Sequence, residues 1–70
     1  MNTDILKNLA NWLMLEKCKE VGLDPSGTHI NVPPYQKRGE RTFALWQEGN
    51  SAKPLMQVTF TKRNAPRFIY

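Results

Sequence analysis

The sequence has a single cysteine, Cys18, and a single histidine, His29. A lone cysteine excludes an intramolecular disulfide and any zinc site built on several thiolates, and it suits a reducing compartment. No apolar run approaches the roughly 20 residues that a membrane-spanning helix needs. The opening stretch MNTDILKNLANW also lacks the basic start and small-residue cleavage site of a signal peptide. These absences predict a cytoplasmic protein that does not engage a membrane. There is no internal repeat, heptad pattern or low-complexity tract. No residues fall at the spacing of a catalytic or metal motif, so the sequence predicts a non-enzymatic protein without metal or cofactor.

What is present is enough for one small α+β domain over residues 1–70. The hydrophobic share is 40%, and two Trp, three Phe and two Tyr supply bulk for a core. A chain of this size is close to the limit at which one core holds without disulfide, metal or partner, so any function belongs to the surface of a single compact unit. The net charge of +4 is unevenly placed. Residues 1–31 hold Lys7, Lys17 and Lys19 against Asp4, Glu16, Glu20 and Asp24, a sum of −1. Residues 32–70 hold seven cations against Glu40 and Glu48, a sum of +5. Cations gathered in one part of a fold are the footprint of a surface for phosphate or another acidic partner.

Helix signals run from Asp4 to Val21. Thr3 is placed to cap the first free N–H groups, and Asp4 sets a negative charge at the positive end of the helix dipole. Leu6, Leu9, Ala10, Leu13, Met14 and Val21 recur at spacings of three and four, with Ile5 and Trp12 widening the stripe. Gly22, Leu23 and Pro25 form a stop signal. Strands are expected at Thr28–Val32, Arg41–Glu48 and Leu55–Lys62. In the last, Met56, Val58 and Phe60 alternate with Gln57, Thr59 and Thr61. The result is one helix on a three-stranded antiparallel meander, with RFIY as a short fourth strand or a tail over the core. Leu9, Leu13, Val58 and Phe60 are expected to share that core.

Chemistry-bearing residues are sparse. The run Ser26-Gly27-Thr28-His29 behind a leading helix resembles the HicA-type ribonuclease toxins, in which a histidine follows a Gly-Ser or Gly-Thr pair. That resemblance implies a general base at His29, but it ends at those residues, because the second helix of such folds has no counterpart in this pattern. Cys18 lies at an angle away from the Leu9 and Leu13 stripe and has no partnering base near it in sequence, which makes it structural. Glu16 and Glu20 share a helix face beside Lys17 and Lys19, as a solvated charged surface does.

The stretch VPPYQKRGER carries the strongest surface signal. Pro33 and Pro34 stiffen it, Gly39 permits a reversal, and Lys37, Arg38 and Arg41 offer three cations beside the ring of Tyr35. Two settings of the second strand fit the pattern: Phe43 and Leu45 inward with Trp46 outward, or the reverse. With Trp46 outward, an indole stands beside Arg41, Lys62 and Arg63 on a polar sheet face suited to bases and phosphates. The expected site is therefore Tyr35, Lys37, Arg38, Arg41, Trp46, Lys62 and Arg63, and the expected partner is DNA or RNA. The alternative is a small accessory protein of the phage or plasmid type that binds and modulates a larger host protein. The apolar tail also predicts a homodimer through RFIY or the outer edge of the third strand.

Overall fold

A computed structural model describes residues 3–70. It contains one helix, α1 (Thr3–Val21), and four strands, β1 (Thr28–Asn31), β2 (Glu40–Gln47), β3 (Met56–Thr61) and β4 (Arg67–Ile69). The strands form one antiparallel sheet in the order β1-β2-β3-β4, with α1 packed over β2 and β3. The three expected strands stand within one residue of their predicted bounds, and RFIY supplies the fourth. The side chain of Thr3, expected as the helix cap, lies outside the described residues.

The C-terminal stop works as the sequence implies. Gly22 takes a φ of 80°, and the Leu23 N–H reaches back to the Cys18 carbonyl at 2.8 Å. This is a Schellman closure, and it folds Leu23 onto the core. In the turn that follows, the Asp24 carboxylate accepts from the Ser26 hydroxyl at 2.7 Å and its backbone N–H at 3.0 Å, which holds the Asp24 carboxyl below its usual range.

The core differs from the expected one on the helix side. Its buried centre is Ala10, Met14 and Cys18 from α1 against Phe43, Leu45, Met56 and Val58. Leu9 is 42% exposed and outside it, Leu13 is half-buried, and Cys18 is fully buried rather than turned away. The reason is that α1 carries apolar residues on two opposite faces. The face that meets the sheet is the one whose small residues, Ala10 and Cys18, allow close approach, with Met14 filling the space between them. Burial pushes the Cys18 thiol up, as expected of a packing group rather than a nucleophile. Phe60 packs edge-on against Phe43, with centroids 6.0 Å apart at 72°. Glu16 and Glu20 pair with Lys19 at 3.7 Å and Lys17 at 3.3 Å.

On the sheet side the alternation holds. Phe43, Leu45, Met56 and Val58 face the helix, so Trp46 belongs to the open face and the ambiguity of β2 is resolved. The expected dimer edge on β3 is already occupied by β4, whose Phe68 packs against the core with the Lys17 ammonium 4.9 Å from its ring centre. Ile69 and Tyr70 remain exposed.

Candidate functional site

The loop between β1 and β2 is held by an unusual hydrogen-bond arrangement around Gln36. Asn31 is the last β1 residue paired with β2, opposite Ala44. The next ladder position opposite Thr42 would fall to Pro33, which has no N–H to give. Gln36 replaces it. Its side-chain carbonyl accepts the Thr42 N–H at 2.7 Å, and its amide NH₂ donates to the Thr42 carbonyl at 2.9 Å and the Pro33 carbonyl at 3.1 Å. One carboxamide thus serves as the missing peptide unit and ties the loop to the sheet. Gln36→Ala is expected to cost about 1–3 kcal/mol, because it strips partners from part-buried backbone groups. Gln36→Glu is expected to be nearly as costly, since a carboxylate cannot donate to Thr42. Urea unfolding of both variants checks this.

The loop closes through Lys37-Arg38-Gly39-Glu40, where the Glu40 N–H donates to the Lys37 carbonyl at 3.1 Å. Gly39 has a φ of 79°, and a Cβ there would meet nothing, so only backbone conformation calls for glycine. The turn sets Lys37 and Arg38 at the start of β2. Because Glu40 pairs with Thr61, residues 37–39 lie at the same end of the sheet as the 62–66 connection, with Lys62 and Arg63. The pairing of Thr59 with Arg67 brings β4 to that end as well.

Six of the ten Lys and Arg residues therefore gather at one end of the sheet: Lys37, Arg38, Arg41, Lys62, Arg63 and Arg67. They divide between two faces. On the open face, Pro33, Tyr35, Lys37, Glu40, Thr42, Gln57, Thr59, Arg67 and Ile69 line a shallow cleft of about 320 Å³. Its floor is polar, with the hydroxyls of Thr42 and Thr59 2.9 Å apart. Arg67 reaches across it to Glu40 at 3.6 Å. On the helix side, Arg41 and Lys62 share a notch with Leu6, Gly39 and Phe60, and the Arg41 guanidinium donates to the Glu40 carbonyl at 2.9 Å.

Of the expected site residues, Tyr35 and Lys37 share the open-face cleft. Arg38 and Arg63 are exposed at its end, and Arg41 and Lys62 sit behind it. Trp46 stands apart, four residues along β2 from Thr42, or roughly 13 Å. It is opposite His29, and its indole N–H donates to Asn31 at 3.2 Å, so the ring is fixed on the open face. Arg67 was missing from the expected set. Its signal was the NAP turn before RFIY: a tight return there runs residue 67 back beside β3.

His29 is exposed beside Trp46, and among the described residues no group of three His, Cys, Asp or Glu side chains is placed to hold a metal ion. No described helix is long and apolar enough to cross a membrane. Among known proteins, no family model matches the chain, and neither a curated protein nor a solved structure matches it significantly.

Proposed function

We propose that the chain is a nucleic-acid-binding protein that lays a single strand across the open face and the basic end of its sheet. The observation that carries this reading is the convergence of six cations on that end around a single carboxylate, Glu40. Two features give the cations direction. Gln36 fixes the loop bearing Lys37 and Arg38, so little conformational freedom is lost when they meet phosphates. Tyr35, 79% exposed, and the fixed Trp46 offer rings at two stations of the open face, where unpaired bases stack. Phosphate contacts and stacking carry little sequence information, so discrimination between sequences is weak. A single strand is favoured over a duplex because stacking requires bases freed from pairing.

The test is a titration with short single- and double-stranded DNA and RNA at low and moderate salt. Wild type is expected to bind single strands more tightly, with affinity falling steeply as salt rises. Tyr35→Ala is expected to weaken binding by about 1–3 kcal/mol with the salt slope nearly unchanged. The combined Lys37, Arg38 and Arg41 to Ala variant is expected to flatten that slope. Equal binding by wild type and the triple variant, or no binding at low salt, overturns the proposal.

A further inference from the structure

The far end of the open face, away from the six gathered cations, has a different chemistry. Trp46 and Glu48 share that face by strand parity. Opposite them stand His29, paired with Trp46, and Gly27, whose carbonyl accepts the Glu48 N–H at 2.9 Å. Gly27 has no side chain to compete for the space: a Cβ there would stand 3.6 Å from Glu48 Oε2, so the carboxylate lies beside the glycine backbone. Beyond Glu48 the chain turns, with the Asn50 N–H donating to the Gln47 carbonyl at 3.1 Å and Asn50 Oδ1 accepting the Ala52 N–H at 3.1 Å. This turn walls one side of an open pocket of about 620 Å³, to which His29, Trp46, Gln47, Glu48, Asn50 and Ser51 contribute.

Three features select the occupant. No Lys or Arg lines the pocket, and Glu48 lies eight positions beyond Glu40, roughly 27 Å along the strand, which disfavours a phosphate here. The indole of Trp46, held by its N–H bond to Asn31 at 3.2 Å, offers a fixed wall for a stacked base. The third is the set of polar groups left over. Among the described residues the Glu48 carboxylate has no ion-pair or hydrogen-bond partner, and Asn50 uses only its oxygen on the turn, so two acceptors and an NH₂ donor remain. Of the common bases only guanine presents two adjacent N–H donors on its Watson–Crick edge, N1–H and N2–H, with an acceptor, O6, next to them. Adenine, cytosine and uracil each set an acceptor beside the donor, and that acceptor would face a carboxylate oxygen. We infer that this pocket is a guanine subsite: the base stacks on Trp46, the Glu48 carboxylate accepts from N1–H and N2–H, and the Asn50 amide donates to O6. The inference rests on the reading of the open face as a single-strand surface, and it adds one position of base readout to contacts otherwise indifferent to sequence.

The test is fluorescence anisotropy with short labelled oligouridine RNAs that carry one central guanosine, adenosine, cytidine or inosine, or none. Because the contacts elsewhere are sequence-tolerant, each strand can shift until the variable base reaches the pocket. Wild type is expected to bind the guanosine strand about tenfold more tightly than the adenosine, cytidine and all-uridine strands. Inosine keeps N1–H and O6 but lacks the N2 amine, and should lose most of that preference. Glu48→Gln turns one acceptor into a donor and should bring the guanosine-to-adenosine ratio to within about twofold of unity. Removing a negative charge by itself would raise affinity for all strands alike, so the ratio carries the result. Glu48 is exposed, and a circular dichroism melt of the variant verifies that the fold is kept. Equal affinity for all the strands, a guanosine preference that survives Glu48→Gln, or inosine bound as tightly as guanosine overturns the inference and leaves the single-strand reading standing. Failure of every strand to bind at low salt overturns both.

Discussion

Phe43→Ala is expected to leave most of the chain unfolded at room temperature. Phe43 is 1% exposed, sits on the central strand β2, and meets Phe60 edge-on at 6.0 Å in the cluster that includes Met14 and Leu45. Truncating a buried Phe costs about 3–5 kcal/mol from lost transfer energy and the cavity left behind. One core in a domain of this size rarely supplies more than about 3–5 kcal/mol in total. The two quantities are comparable, so the variant should show a collapsed or absent urea transition and loss of near-ultraviolet dichroism. Leu9→Ala gives the contrast. It removes more apolar surface than many core trims, yet from a side chain 42% exposed outside the core, and its midpoint should shift little. A cooperative transition near wild type for Phe43→Ala would mean that the helix packs on the sheet in another way.

A large loss of binding is expected when Lys37 and Arg67 are replaced together by Ala. Both line the open-face cleft, one from the braced loop and one from β4, and each is placed to meet a phosphate laid over the Thr42 and Thr59 hydroxyls. A charge-assisted contact contributes about 1.5–3 kcal/mol, so losing two should weaken single-strand binding by at least about a hundredfold at low salt. The salt slope should fall by about 1.4, from roughly 0.7 per phosphate on a single strand. Glu40→Gln is expected to act in the opposite sense. Glu40 holds Arg67 at 3.6 Å and is the one carboxylate among these cations, so neutralising it frees the guanidinium and removes a repulsion from the phosphate path. Affinity should rise several-fold, by about 1 kcal/mol. Fluorescence anisotropy with a labelled oligonucleotide measures both variants. Weaker binding by Glu40→Gln would show that the ion pair shapes the cleft more than it competes for it.

Much of this architecture was legible in the sequence because local rules and the global fold agree. Gly22 and Pro25 ended the helix where it ends, and the alternation in Met56–Thr61 named the faces of β3 correctly. The orientation of the helix was not legible. Ile5, Leu9 and Trp12 satisfy the same periodicity as Leu6, Ala10 and Met14, and period alone does not say which set meets a sheet. Packing decided it in favour of the smaller residues, which also carried Cys18 into the core. The cations were found as a group from charge counting, but their division between two faces follows from strand parity, with Arg41 opposite Phe60 on the helix side. Gln36 was hidden for a different reason. Its role exists only because Pro33 occupies a ladder position it cannot fill, a relation that appears once the register of β1 and β2 is known.

The sequential strand order has a consequence for the order in which the molecule is completed. Every strand pairs with its chain neighbour, so the sheet can form as a succession of local closures. β4 is the final addition, three residues on the edge of β3 with Phe68 as its apolar anchor. Such an edge is the natural first unit to open in the native state. Because Arg67 rides on it, each opening withdraws a cation from the cleft and releases Glu40 into it, reversing the local field without unfolding the rest. The basic surface is therefore coupled to a short edge strand, and a ligand that needs Arg67 draws part of its binding energy from keeping that strand paired.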